Sequence, residues 1–435
     1  MAQASARPHI VIAGGGYIGF YTALRLERAL RPQEAKITLI NPENFLLYKP
    51  LLPEVASGTL EPRHAAVPLR VALSRTDIDT GELVEVDQER SLATVQPYVG
   101  ERRVLSYDHL VVGMGSQTRL LPIPGLAEHA VGFNSVTEAV HLRNQVLARM
   151  EAAAEAADAE SRRRAATFVF VGGGYTGVEA LAELEDMARD ACQFYPPLRP
   201  EDLRWVLVEV TDRILPTVDS QLAAHAADFL RSRGIEIHLE TELKSAEGGI
   251  IELSNGDSFG ADTLVWSAGV QPHERVGELG LPVDEKGRLP VDASLRVTEA
   301  ERLWSAGDCA AVPDTETGGL CPPTAQYALQ EAHQLGDNLA ATVRGKATES
   351  FRYASKGEFV TLGMRKGVAN LYGRRLEGLP AWLLRRAYYA SLIPTVNRKT
   401  RVLADWAVGL PFRHHDIVNL GTLQHPHEPM REAAD

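Results

Sequence analysis

The feature that most constrains this chain is Gly14-Gly15-Gly16-Tyr17-Ile18-Gly19, which follows the apolar run His9 to Ala13. It opens a segment whose Leu24, Leu26 and Leu30 are expected to form the sheet-facing side of a helix. Strand, glycine turn and helix in that order form the context a dinucleotide-binding fingerprint needs. Gly14 permits a tight turn, Gly16 lets backbone approach a pyrophosphate, and Gly19 lets helix and strand pack closely. The free N–H groups of the helix start then face the phosphates. The pattern returns as Gly172-Gly173-Gly174-Tyr175-Thr176-Gly177, after Thr167 to Val171 and before the helical run Val178 to Arg189. Two copies with the same flanks predict an α/β fold with two Rossmann-like dinucleotide-binding domains.

With 435 residues, the chain is long enough for two or three domains with their own cores. Its net charge of −12 argues against nucleic acid as a partner, because phosphate binding wants a basic face. Three cysteines (Cys192, Cys309 and Cys321) are too few and too scattered for a disulfide framework or a zinc site. That usage suits a reducing cytosol, and no metal site is expected. The N-terminus lacks the apolar core of a signal peptide, and no uncharged apolar run approaches the length of a membrane span.

The second strand of the first unit, Lys36 to Ile40, ends at Asn41, where this fold usually places an acid for the adenosine ribose. Asn41 can hydrogen-bond a ribose, but without charge. Asn44 to Gly58 is apolar and broken by prolines, too irregular for a helix. It reads either as a core-covering segment or as a wall beside a ring-shaped cofactor. Gly81 to Val86 and Ser91 to Tyr98 predict a small antiparallel ribbon, and Thr137 to Arg164 one long or broken, largely exposed helix. In the second unit, Trp205 to Val208 ends at Glu209, and Ile235 to Leu239, Ile250 to Leu253 and Thr263 to Trp266 continue the sheet. Leu303 to Asp308 is a strand closing on an acid, followed by a helix from Pro322 to about Val343 with prolines in its first turn. The expected division is 1–125 with 300–350 as the first domain, 126–299 as the second, and 351–435 as a C-terminal region.

Two glycine units, the Gly307-Asp308 strand end and the Pro323-Thr324-Ala325-Gln326 helix start together resemble the two-dinucleotide-binding-domain flavoproteins. Within these, the chain is most similar to the type II, non-proton-pumping NADH dehydrogenases, and the similarity runs through Val265 to Val270 and into the tail. The resemblance implies FAD on Gly14, Gly16 and Gly19, with Asn41 at the ribose, Asp308 at the ribityl chain, and Ala325 and Gln326 at the pyrimidine end of the ring. A helix N-terminus there would favour the anionic reduced flavin. It implies NADH on Gly172, Gly174 and Gly177, with Glu209 at the ribose disfavouring a 2′-phosphate and Glu179 close to the nicotinamide. Gln326 and Gln330, one turn apart, would border the quinone, with Arg385 or Arg386 assisting from the tail.

The tail from Gly378 to Arg413 carries Arg385, Arg386, Arg398, Lys399, Arg401 and Arg413 against Asp405 alone, interleaved with Trp382, Tyr388, Tyr389, Trp406 and Phe412. This composition suits a surface-lying anchor on anionic membrane; the alternative is a basic, aromatic dimer interface or a domain-packing helix. The implied protein is an FAD-dependent NADH:quinone oxidoreductase, peripheral on the cytoplasmic face of the membrane and compatible with a homodimer. The alternatives are a soluble diaphorase acting on a small quinoid metabolite and a non-enzymatic redox-sensing flavoprotein. Asn41 to Gly58 has no cysteine, which argues against a dithiol relay, and no cysteine pair supports sulfide:quinone chemistry.

Overall fold

The computed structural model describes residues 7–355, 357–409, 411, 415–419 and 421. Phe412 and Arg413 lie outside the described residues.

Each glycine turn sits at the C-terminal end of a strand that has a parallel neighbour on both sides. The first is His9–Ala13, between His109–Val112 and Lys36–Asn41. Leu303–Ser305 adds beyond His109–Val112, with Leu303 opposite Leu110, so a late segment returns to the first sheet. On the other edge Asp77–Asp87 continues the sheet, and Leu92–Pro97 and Arg103–Ser106 extend it as an antiparallel ribbon. The second turn follows Thr167–Val171, the middle strand of a parallel five-stranded sheet that also holds Ala130–Val131, Thr263–Trp266, Arg204–Val208 and Glu236–His238. Both central strands are covered on two faces, which is why Ile10 to Ala13 and Thr167 to Val171 are continuously buried and not alternating.

Several sequence expectations change in the folded chain. Ile250–Leu253 leaves the parallel sheet and joins a small antiparallel one with Leu243–Ser245 and Ser258–Gly260. The first glycine helix, Tyr17–Ala29, buries Ile18, Phe20, Ala23 and Leu26, while Leu24 is only partly covered. Thr137 to Arg164 is two helices, Val136–Glu155 and Ala159–Ala165. The longer one is not an exposed rod. It opens with a Ser135/Glu138 capping box and buries Leu142, Val146, Leu147 and Met150 against the core. The late helix spans Ala325–Val343, capped by the Thr324 hydroxyl, so Pro322 and Pro323 precede the helix and do not form its first turn. Asn44 to Gly58 contains a short helix after all, Leu52–Ala56, entered through Pro53.

The C-terminal region is a three-stranded antiparallel meander, Gly357–Thr361, Gly367–Leu371 and Arg374–Glu377, followed by helices Leu379–Leu392 and Val396–Gly409. These helices do not lie free on the surface. Trp382, Ala390, Val402 and Trp406 are buried, and Val402 and Trp406 join the core cluster that also holds Tyr48, Leu52, Val55 and Val178. Arg385 is one of the largest fully buried side chains in the chain, 2% exposed. Among the described residues no helix is long and apolar enough to cross a membrane.

Candidate active site

The two glycine turns are built alike, and each glycine answers to a different constraint. A Cβ on Gly19 would run into the Gly14 carbonyl oxygen and lie 3.0 Å from the Ile12 side chain, and Gly177 repeats this against Gly172. Gly14 and Gly172 hold positive φ, 101° and 112°, at the point where the strand reverses. Gly16 and Gly174 meet no protein atom within 4 Å. Their lack of a side chain is therefore not required by the fold, and what it leaves is open space directly over a helix N-terminus. That is the fit expected for a pyrophosphate.

The first turn opens on a cavity of about 580 Å³ lined by Gly14 to Ile18, Asn41, Glu43, Lys49, Asp308 and Ala325, among others. Asn41 does lie there, but its amide is committed. Its Oδ1 accepts from the Gly15 N–H at 2.6 Å, and its Nδ2 donates to the Glu43 carbonyl at 2.7 Å. The Glu43 carboxylate, 3.4 Å from the same Nδ2, stands where the strand end lacks a charge. Sequence reading missed Glu43; the Asn41-Pro42-Glu43 turn, which carries the chain back over the strand end, was the signal available. In the second unit Glu209 fills the equivalent place. It accepts from the Gly173 N–H at 2.6 Å and from the Thr211 amide and hydroxyl at 2.9 and 2.8 Å. The apolar segment before Gly58 plays both expected parts: Phe45, Leu47 and Lys49 line the cavity, and Leu51, Leu52 and Val55 cover the core.

Asp308 accepts from the Ser116 hydroxyl at 2.7 Å. Beside it, Glu331 of the late helix accepts from the Gly307 N–H at 2.6 Å and is 2% exposed. Burial pushes the Glu331 carboxyl up to about 7, against the Gly307 hydrogen bond and with help from Asp308. The unfolded carboxyl ionises near 4.5, so between those values the native protein keeps a proton that the unfolded chain has lost. Stability therefore falls as pH rises through this window. Glu331→Gln is expected to flatten that slope and leave the variant up to about 3 kcal/mol ahead of its parent at pH 8, relative to their difference at pH 4. Urea unfolding at the two pH values measures it; parallel slopes in the two proteins would refute it.

Gln326 and Gln330 are not placed alike. The Gln326 amide donates to the Gly357 carbonyl and its oxygen accepts from the Ser355 hydroxyl, each at 3.2 Å, so it ties the late helix to the C-terminal meander. Gln330 is half-buried one turn further on.

Glu179, one turn into the second glycine helix (Tyr175–Ala191), lies in the interior among the buried charged residues Glu54, Glu183 and Arg385. Its Oε1 accepts from the Thr361 N–H at 2.8 Å and from Arg385 Nε at 3.2 Å, and its Oε2 accepts from Arg385 Nη2 at 3.3 Å. Arg385 also donates to Glu54 at 3.1 Å and to the Pro50 carbonyl at 2.8 Å. Glu54 accepts from the Trp406 indole at 2.9 Å, and the Arg386 guanidinium stacks on Trp382 with its carbon 3.8 Å from the ring centroid. Burial works against the Arg385 charge, but Glu179 and Glu54 more than offset it and hold the guanidinium protonated. Burial raises the Glu179 carboxyl, with Arg385 opposing. One tail side chain thus joins the second glycine helix to the core-covering segment that follows the cavity-lining Phe45, Leu47 and Lys49. Of the two tail arginines expected near the quinone, Arg385 takes this place and Arg386 is spent on tryptophan stacking and a 3.7 Å approach to Glu54.

Two strand–glycine–helix cradles, each with open space above one glycine and a hydrogen-bonded acceptor at the next strand end, define a protein built to hold two dinucleotides at once. A family model described as pyridine nucleotide-disulphide oxidoreductase matches residues 8–332, and the chain belongs to that family. A type II NADH:quinone oxidoreductase of Staphylococcus aureus is 28% identical over 388 residues, 88% of this chain and 94% of that one. The structure of NDH2 from Plasmodium falciparum in complex with NADH shares the fold with a TM-score of 0.86 at 18% identity, covering 95% of this chain and 100% of that one. A sulfide:quinone oxidoreductase from Aquifex aeolicus shares it with a TM-score of 0.72 at 17% identity, covering 93% and 95%. Here Cys192, Cys309 and Cys321 are all free, with Cys192 and Cys309 buried.

Proposed function

We propose that the chain is an FAD-dependent NADH:quinone oxidoreductase of the type II, non-proton-pumping kind. FAD, when bound, supplies the two-electron relay between the nicotinamide and the quinone. Gly14, Gly16, Gly19, Asp308 and Ala325 hold it, with Glu43 taking the ribose role expected of Asn41. Gly172, Gly174, Gly177 and Glu209 hold NADH. The observation that carries this reading is the Arg385 bridge. It seats an aromatic, basic tail against Glu179 of the NADH-binding helix and against Glu54, next to the wall of the first cavity. A quinone head group approaching along the tail would arrive between the second glycine helix and the segment that continues from the cavity wall. Arg385 and Glu179 orient and exclude water there, and Gln330 is the amide left to face the quinone. The cysteine-free wall segment offers no dithiol relay.

The membrane reading now rests on other residues than the buried Trp382, Arg385 and Trp406. Leu379 and Leu383 form one exposed stripe, and Val396 and Leu403 a second, with Lys399 beside it. At 14 residues each, these helices suit lying on an anionic surface at the cytoplasmic face. The same stripes would serve a homodimer.

Heat-released FAD and steady-state oxidation of NADH with a quinone panel, with and without anionic vesicles, test the proposal. Quinone turnover stimulated by vesicles supports it; turnover with no vesicle association leaves a soluble diaphorase, and no turnover leaves a redox-sensing flavoprotein. Glu209→Ala is expected to shift the NADH-to-NADPH ratio of kcat/KM by about tenfold towards NADPH, since the carboxylate no longer opposes a 2′-phosphate. An unchanged ratio would take Glu209 out of the nucleotide site.

A further inference from the structure

Two nearly buried guanidiniums have more donors than acceptors, and both line one cavity. It holds about 480 Å³ and lies where helix Val396–Gly409 meets the turn at 58–62 and the long helix Val136–Glu155. Arg143 lines it from the long helix, with its side chain 9% exposed. Its Nη2 donates to the Asp416 carbonyl at 2.6 Å, and its Nε has no partner. The one carboxylate within 4 Å of it among the described residues is that of Asp416, 3.7 Å away on a side chain 61% exposed. Gly58 makes room for this guanidinium: it holds a φ of 73°, and a Cβ there would stand 2.7 Å from Arg143 Nε. Arg386, from helix Leu379–Leu392, is 11% exposed and makes no hydrogen bond among the described residues. Its guanidinium carbon packs 3.8 Å from the Trp382 ring centroid and 4.7 Å from that of Trp406. Glu54 approaches its Nε at 3.7 Å, but the Glu54 oxygens already accept from Arg385 and from the Trp406 indole.

Burial pulls both guanidiniums down from the usual arginine range. Asp416 opposes this only in part at Arg143, as do Glu54 and Glu183 at Arg386. Donors shut away from water without acceptors are costly, and native interiors rarely leave them so. A guanidinium presents its five N–H groups as a planar fork that matches the oxygens of a carboxylate or a phosphate. The acids that share the cavity are engaged elsewhere: Asp405 pairs with His64 at 2.5 Å and Glu61 with Arg63 at 2.9 Å. His415 adds a third buried nitrogen without a partner, its Nε2. The remaining wall is apolar and aromatic, with Leu60, Val140, Trp382, Trp406 and the 64% exposed Val408. A cavity of this size lies within the range of about 300–1,000 Å³ that holds small ligands.

We propose that this cavity binds an amphiphilic oxyanion, a carboxylate or phosphate head carried on an apolar chain. The head accepts hydrogen bonds from Arg143 and Arg386, and the chain lies along Leu60 and the two tryptophans towards Val408. Such a ligand joins the long helix to both tail helices, because Arg143, Arg386 and Trp406 come from three different elements. It therefore stiffens the seat of the tail. The site is separate from the exposed Leu379 and Leu383 stripe, since neither leucine lines the cavity. Two sources share this chemistry, a free fatty acid and an anionic phospholipid of a bilayer.

The test uses the full chain with its flavin and two probes, decanoate below micelle formation and vesicles of phosphatidylglycerol. Binding is read by tryptophan emission, calorimetry and Tm. Decanoate is expected to change the emission saturably and to raise Tm. Decanol, of the same length without the charge, should bind about tenfold or more weakly. Arg143→Gln and Arg386→Gln should each raise the decanoate Kd by about the same factor. Where either variant fails to fold, Val408→Glu serves, because it sets a carboxylate at an exposed position of the same wall and should also weaken binding. Vesicles that give the same emission change, lost in Arg386→Gln, assign the site to a bilayer phospholipid. A response to decanoate alone assigns it to a free fatty acid. Decanol binding as tightly as decanoate, a Kd unchanged in the variants, or no response to either probe overturns the inference.

Discussion

Arg385→Ala is expected to be the most damaging single change in the C-terminal region. It removes the cation from between two carboxylates that are almost fully buried, Glu54 and Glu179, and strands the Pro50 carbonyl as well. Breaking a buried ion pair by deleting one partner costs about 3–5 kcal/mol, because the remaining charge stays out of water. The cost should appear as release of helix Leu379–Leu392 from the core, read as new protease cleavage in the tail and a lower unfolding midpoint. Quinone turnover should fall with it. Arg385→Lys is expected to rescue little, since one compact ammonium cannot span two carboxylates and a carbonyl as a planar guanidinium does. Adding Glu54→Gln to Arg385→Ala should recover part of the loss by removing one stranded charge. A variant as stable and protease-resistant as its parent would mean that the bridge is not what seats the tail.

The second large effect separates two glycines that look alike in the sequence. At Gly19 a Cβ would collide with the Gly14 carbonyl oxygen, so Gly19→Ala forces helix and strand apart. Such overpacking costs about 1–3 kcal/mol or more, and flavin should be lost with the local fold. Gly16 has a φ of −73° that alanine accepts readily, with no protein atom within 4 Å of the added methyl. Gly16→Ala should therefore leave apoprotein stability within about 0.5 kcal/mol of the parent while sharply weakening flavin binding. Thermal melts of both apoproteins and flavin titrations distinguish the two. If Gly16→Ala bound flavin as tightly as the parent, the pyrophosphate would not lie over that glycine.

This contrast also marks how far the residues could be read before the fold was known. Strand, turn and helix around each glycine motif were legible because they depend on neighbours within about 20 residues: an apolar run, a forced turn and an amphipathic helix. The role assigned to each glycine followed from the same local geometry. The basic and aromatic tail was legible only as composition. Its arginines suggested a surface, and two of them, Arg385 and Arg386, lie in the interior instead, because their partners at Glu54 and Glu179 come from segments far away in the chain. Glu43 escaped for a milder form of the same reason. Its carboxylate reaches the Asn41 position only through the turn at Pro42.

The sequence by itself determined the two cradles, their order, and the absence of a cysteine pair in the wall segment, since hydrophobic period and glycine spacing are properties of contiguous residues. Only the tertiary structure decided which charges face one another. Burial makes ordinary glutamates such as Glu54 and Glu179 depend on Arg385, and whether a carboxyl has a cation within reach depends on contacts between residues more than a hundred positions apart. Pairing of that kind leaves no local pattern, because the energy that selects it comes from excluding water around the assembled cluster.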